Sequence, residues 1–299
     1  QIRGFTAAPR GTGYPSQTML AQTWSKQLAY QFGLSYGSDM GTLNVSGTWA
    51  PGCNIHRSPF GGRNFEYYSE DTFLTSEMAY NASRGFKNTG RYVYLKHFVL
   101  NDMEYGRMWM YTWCSEQTLR ETYLKAFEKS IKTGTANGIM TTYGRIGGCY
   151  TGGSEALIAG VVRTEWQFNG AIISDYSNDN RFMNVDHGIR GGSDLGMGCK
   201  LNNASTPFTL EYSSSSSNRL QYRLREVAHH VTWSWLNSMY AQSIYDPSKD
   251  GTSVVLSTKT IEPWMWWRAV IVDLDVLVGF GCLFWTYWIF RKKLMKEEK

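Results

Sequence analysis

The sequence predicts an α/β fold of the (β/α)8, TIM-like barrel type, incomplete at its N-terminus and followed by a C-terminal transmembrane helix. Three observations carry that reading. Short apolar stretches flanked by Gly, Pro, Asn or Asp alternate with helical patterns, the signature of a parallel sheet with helical crossovers. One stretch, Gly170-Ala171-Ile172-Ile173-Ser174-Asp175-Tyr176, leads from a turn glycine through an apolar strand to a carboxylate at the strand's end, where such barrels hold their chemistry. The chain of 299 residues, 42% of them hydrophobic, is also long enough to bury one barrel-sized core.

Taken in order, residues 1 to 17 hold Gly4, Pro9, Gly11, Gly13 and Pro15 in a loop-like composition, and an apolar run from Met19 to Trp24 opens a helix continuing through Leu28 and Phe32. Leu43 to Ile55 alternates and ends near Pro51-Gly52, predicting a strand and then a loop with Gly61-Gly62. Further strands are predicted at Tyr92–Phe98, Gly138–Tyr143, the Gly170 stretch and Gly188–Asp194, and the alternation along the chain has room for about six. Between them, Ser115 is placed to cap a helix whose Leu119, Tyr123, Phe127 and Ile131 form one apolar stripe. Ser154 is placed to cap a second, with Leu157, Ile158, Val161 and Val162 on one face, and Leu220, Leu224, Val227, Val231 and Trp235 mark a third after the serine run 213–217. The chain starts at Gln1 without a signal peptide, so the first one or two barrel units are expected upstream of it.

The end of the chain differs in kind. Residues 269–290 carry only Asp273 and Asp275 as charges and are long enough, at about 1.5 Å per residue, to cross a hydrocarbon core of roughly 30 Å. Trp264, Trp266 and Trp267 precede this segment and Trp285, Tyr287 and Trp288 lie near its far end, as two interfacial belts would. The competing reading is an amphipathic helix docked on the barrel. The expected organisation is a barrel domain over 1–240, a linker over 241–263, a transmembrane helix over 264–290 that places the chain in the lipid bilayer, and a basic tail over 291–299. Arg291, Lys292 and Lys293 outweigh the charge before the span, which puts the tail in the cytoplasm and the barrel outside the cell membrane, in a single-pass arrangement.

Composition narrows the function. Aromatics reach 15% while charged residues are only 18%, a balance that suits carbohydrate, whose C–H faces stack on aromatic rings. A net charge of +5 concentrated partly in the tail gives no argument for nucleic acid. Five cysteines without a CxxC pair signal neither a disulfide framework nor zinc, and the histidines show no ligand spacing, so no metal or cofactor is expected. The polar residues at predicted strand ends are Lys96-His97, Tyr143 with Arg145, Asp175 and Asp194, joined by Arg63, Glu66, Glu70 and Asp71 on the Gly61-Gly62 loop. Barrel geometry gathers strand ends at one rim, so these should converge on one pocket, and cations beside Asp175 would hold it ionised, as a nucleophile requires.

Gly62-Arg63-Asn64-Phe65-Glu66 with Ser69-Glu70-Asp71, Lys96-His97-Phe98 with Asn101-Asp102 and Glu104, Met140-Thr141-Thr142-Tyr143, and Glu165-Trp166-Gln167-Phe168-Asn169-Gly170 leading to Ser174-Asp175-Tyr176 together resemble the β-glucosidase branch of glycoside hydrolase family 3, in order and spacing. The resemblance implies a retaining, exo-acting hydrolase of terminal β-D-glucosyl residues that forms a covalent glycosyl-enzyme on Asp175. It implies that Arg63, Lys96 and His97 hold the terminal sugar's hydroxyls, that Tyr143 lies beside the nucleophile, and that Tyr176 forms the sugar-facing wall where the family often has Trp. The acid/base glutamate of that family belongs to a sandwich domain, expected here upstream or as a separate partner, so this portion alone is expected to hydrolyse poorly. Glu104 is a weaker candidate for the proton donor. The alternatives are a catalytically inactive, membrane-anchored carbohydrate-binding protein, and a β-xylosidase or arabinosidase specificity sharing the same motifs.

Overall fold

The computed structural model describes residues 12–43, 45–176, 183–197 and 218–238. The predicted linker, transmembrane segment 264–290 and tail lie outside them. Among the described residues no helix is long and apolar enough to cross a membrane.

Two helices open the chain, α1 (Gln17–Ala21) and α2 (Lys26–Thr42), each capped by a serine: Ser16 Oγ accepts from Met19 N and Ser25 Oγ from Leu28 N. Strand β1 is only Gly47–Thr48, much shorter than the strand expected over Leu43–Ile55. Pro51 has no N–H to offer a ladder, and only an isolated bridge from Gly52 to Lys96 continues the pairing. Asp71 caps α3 (Thr72–Asn88), and β2 (Tyr92–Phe98) follows as predicted.

Helices α2 and α3 pack closely because glycines line their crossing. A Cβ on Gly33 would lie 2.1 Å from the Ala82 carbonyl oxygen, and one on Gly85 would lie 2.3 Å from that of Tyr30. The aromatic cluster of Phe32, Tyr36 and Phe86, meeting edge to face, fills the space beside this contact.

The helix after Ser115, α4, begins over Glu116–Thr118, widens into a π-helix over Leu119–Leu124 and resumes over Lys125–Lys132. Its predicted stripe faces the core: Phe127 and Ile131 are buried, and Leu119 and Tyr123 pack against them. Ahead of it lies β3 (Tyr111–Thr112), and after it β4 (Gly138–Thr141), β5 (Arg145–Ile146) and β6 (Cys149–Tyr150). Helix α5 (Ala156–Glu165) is of π type. Ser154 begins it through its backbone carbonyl, which accepts from Ile158 N, and makes no side-chain cap. Strand β7 (Ala171–Tyr176) is the predicted apolar strand.

Over Gly188–Asp194, where a strand was expected, the chain instead ends a helix and turns. Asn184 caps α6 (Val185–Gly191), Gly192 ends it at φ 105°, and the strand β8 begins later, over Leu195–Met197. A seven-residue helix whose only large apolar residues are Val185 and Ile189 gives no period to read. Helix α7 (Asn218–Leu236) is present, but its inward face differs from the predicted stripe. Leu224 and Trp235 are exposed, while Leu220, His230 and Ser234 are buried. Ser234 Oγ accepts from Ala171 N and donates to the Asn137 carbonyl, so a polar helix face ties together the starts of β7 and β4.

The main sheet is parallel, in the order β1-β2-β4-β7-β8, with helical crossovers: a TIM-barrel-like α/β fold with five strands among the described residues, against about six expected. Leu95, Ile139 and Ile172 align across neighbouring strands and are fully buried, forming the core beneath the rim. A second sheet, β3-β5-β6, was not expected, because its two-residue strands are too short to show alternation.

Candidate active site

Parallel strands bring their C-terminal ends to one side, and here β2, β4 and β7 deliver Lys96-His97, the Thr142-Tyr143 turn and Asp175-Tyr176 to the same rim. The β2–β4 register shifts between Leu95 and Phe98, so the strict alternation of faces lapses where Lys96 and His97 stand. Both turn to the site. Lys96 Nζ lies 3.3 Å from Glu66 Oε2, and the His97 ring is held between Arg63 and Tyr67.

Asp175 is buried, and its two oxygens are in different states. Oδ1 accepts from Tyr176 N at 2.6 Å. Oδ2 is shut from solvent with no hydrogen-bond partner. It faces His97 Nε2 at 3.4 Å, but that nitrogen also lies 3.1 Å from Arg63 Nη2. A guanidinium only donates, so Nε2 is the lone-pair nitrogen, and Nδ1 carries the proton toward the Tyr67 hydroxyl 3.0 Å away. Burial, reinforced by Lys96, Arg63 and Arg107, holds His97 well below the ordinary imidazole range and so neutral. Oδ2 therefore keeps a free lone pair inside the site.

The charges around it are nearly balanced. Arg63 pairs with Glu66 and lies 3.6 Å from Glu104, which also accepts from Arg107 at 2.9 Å. Burial works against the charge on Arg63, but Tyr67, Glu66, Glu104 and Asp175 outweigh it and raise its pKa. For Asp175, burial raises the carboxyl above the ordinary range, opposed by the Tyr176 amide and by Arg63, Arg107 and Lys96. Tyr143, pushed up to about 12 by burial and by Asp175, keeps its proton and donates it to the Tyr176 carbonyl. Its ring lies beneath the Arg107 guanidinium, 4.0 Å from the centroid. Tyr176 is 44% exposed, its ring open at the rim.

Of the residues expected to converge, Arg63, Glu66, Lys96, His97, Tyr143, Asp175 and Tyr176 do so. Asp194 does not. It precedes β8, at the opposite end of the sheet, where it accepts from Ile172 N and holds Arg163 and His230 at 2.6 and 2.8 Å. Arg145 is also spent elsewhere, donating to the Met108 carbonyl and stacking on Tyr111. Asp71 caps α3 and Glu70 is exposed. Arg107 and Tyr67 were not foreseen. Arg107 stands three residues after Glu104, a spacing that brings the two together in a turn, and this was the available signal. Glu104, engaged by Arg63, Arg107 and Asn101, is committed to positioning these groups. Among the described residues there is no cluster of three or more His, Cys, Asp or Glu side chains able to hold a metal ion.

The site thus offers one buried carboxylate oxygen with a free lone pair, flanked by cations and by hydroxyl- and amide-bearing groups, a constellation suited to attack on an electrophilic carbon of a polyhydroxylated ligand. Beta-glucosidase A of Butyrivibrio fibrisolvens is 37% identical over 188 residues, 63% of this chain and 22% of the relative. A putative beta-glucosidase of Schizosaccharomyces pombe is 32% identical over 243 residues, 79% of this chain and 29% of the relative. The structure of beta-glucosidase 3B from Thermotoga neapolitana in complex with glucose matches with a TM-score of 0.71 at 33% identity, over 77% of this chain and 33% of that one. The chain spans about a fifth to a third of the length of these relatives. Residues 1–190 match the glycosyl hydrolase family 3 N terminal domain, and the chain belongs to that family.

Proposed function

We propose that this chain is the nucleophile-bearing part of a retaining β-glycosidase that removes terminal β-D-glucosyl residues. The observation that carries the reading is the buried, unpartnered Oδ2 of Asp175 at the end of β7, with Arg63, Lys96 and Arg107 near enough to favour its charge. In this reading Oδ2 attacks the anomeric carbon, the bond to the leaving oxygen breaks as that oxygen gains a proton, and water later displaces the enzyme from the covalent glycosyl ester. Arg63, Lys96 and His97 hold the sugar hydroxyls, and such bonds strengthen as oxocarbenium charge develops. Tyr143 fixes the backbone of Tyr176, whose ring forms the outer wall.

The proton donor in this proposal is a carboxyl from a further domain, because Glu66 and Glu104 are each engaged by cations at this rim. The glucosidase names of the relatives support a glucose-type substrate. We further propose, from the apolar stretch and its flanking charges, that 264–290 spans the membrane with the barrel outside. Asp175→Asn in the protein carrying its acid/base domain is expected to lower release of phenol from an aryl β-glucoside by at least about 10³-fold. A variant retaining most of the activity would remove Asp175 from the role.

A further inference from the structure

Beside the rim, and separate from the Asp175 pocket, lies a cavity of about 430 Å³ lined by Arg57, Leu100, Asp102, Met110, Tyr111 and Trp113 among others. Asn101 and Asp102 divide the two sites between them. The Asn101 amide donates to Tyr67 and Glu104 on the Asp175 side, while Asp102 lines the neighbouring cavity.

Two features of this cavity point to a ligand. The first is Asp102 itself, 6% exposed, with both carboxyl oxygens closed from solvent and only the Ile55 backbone near enough to donate to them. Arg57 is its nearest cation, at 4.0 Å, on a side chain that is itself 56% exposed. A buried carboxyl with so few donors relies on its nearest cation, which keeps Arg57 at the cavity. Burial raises this group to about 7 against the pull of Arg57 and the Ile55 backbone, so it can both accept and donate hydrogen bonds near neutrality. The second feature is aromatic. Trp113 is 77% exposed although it is seated on the Gly147 turn, where a Cβ would lie 3.2 Å from its ring. Tyr111 is held on one side by Arg145, 4.9 Å from the ring centroid, and remains 57% exposed. Tyr111 opens β3 and Trp113 directly follows it, and both line the cavity.

We propose that this cavity is a second saccharide-binding site, in which Trp113 and Tyr111 stack on sugar C–H faces and Arg57, held beside Asp102, binds the hydroxyls. A carboxylate and a guanidinium side by side with aromatic faces match a neutral polyol with apolar flanks. A cation fits poorly, because Arg57 already stands at the carboxylate and no second acid lines the cavity. The inference stands on the cavity's own lining and does not require that Asp175 be catalytic.

The test is calorimetric titration of cellotriose into the protein carrying Asp175→Asn, which prevents turnover, and into the same protein also carrying Trp113→Ala or Asp102→Asn. Each added substitution is expected to abolish one binding event or weaken it at least tenfold. Trp113→Ala alone is expected to change hydrolysis of a small aryl β-glucoside by less than twofold. Trp113 is largely exposed, so that variant should fold, and its circular dichroism spectrum should match the parent's. Cellotriose binding untouched by either substitution, absence of any binding, or a calcium titration whose heat is lost in Asp102→Asn would each overturn the proposal. A protein without glucosidase activity that still shows the Trp113-dependent event would separate this site from the reading of Asp175.

Discussion

Asp175 draws its character from opposing effects. Burial favours the neutral acid, while Arg63, Arg107 and Lys96 favour the anion, and the balance leaves the carboxyl above the ordinary aspartate range. Since attack requires the anion, the acid limb of kcat/KM in the proposed reaction is expected to follow this group, with activity rising as pH passes its pKa. Arg107 is the most direct probe, because it reaches the site from Glu104 and Tyr143 and is not among the residues assigned to hold sugar. Arg107→Met removes a cation that lowers the Asp175 pKa, so the limb is expected to move to higher pH. A limb that stays in place or moves to lower pH would show that another group governs it. His97 does not compete for this role, being held neutral by burial and by the same cations.

At the scale of elements, the closest constraint is the α2–α3 crossing. The obstacle to a side chain at Gly33 is the Ala82 carbonyl oxygen, part of a helix backbone that cannot turn aside as a flexible side chain would. Gly33→Ala is therefore expected to destabilise the fold by about 1–3 kcal/mol despite the higher helix propensity of Ala, measurable by urea denaturation. An unchanged or increased midpoint would contradict the packing described. What the sequence disclosed follows from the same physics. Buried strands such as β4 and β7 and the α4 stripe were legible because long apolar runs and an even period leave a strong signal. Strands β3, β5, β6 and β8 have two or three residues and leave none. The inward face of α7 was misread because its docking contacts are polar: His230 and Ser234 bind buried groups of the sheet, while Leu224 and Trp235 face out. Of the residues that converge at the rim, Lys96, His97, Tyr143 and Asp175 were legible from their places at strand ends and Arg63 from its place on the Gly61-Gly62 loop. Asp194 was assigned to the wrong end of the sheet because Gly188–Asp194, the end of α6 and the turn before β8, was read as a strand.

At the scale of the whole molecule, the described residues hold the proposed nucleophile and the proposed sugar-binding side chains, and the proposed proton donor belongs to a different domain. The proposed topology makes a separate prediction: in intact cells, added protease should digest an epitope placed before residue 264 and spare one fused after Lys299. Cleavage of the tail without permeabilisation would overturn the topology and leave the chemistry untouched. The chemistry itself is tested most directly by covalent trapping. The protein with its acid/base domain, incubated with a 2-deoxy-2-fluoro-β-glucosyl fluoride and digested for mass spectrometry, is expected to carry the fluoroglucosyl group on Asp175. Labelling of another carboxylate, or steady hydrolysis with no covalent adduct, would contradict the assignment of Asp175 as the nucleophile.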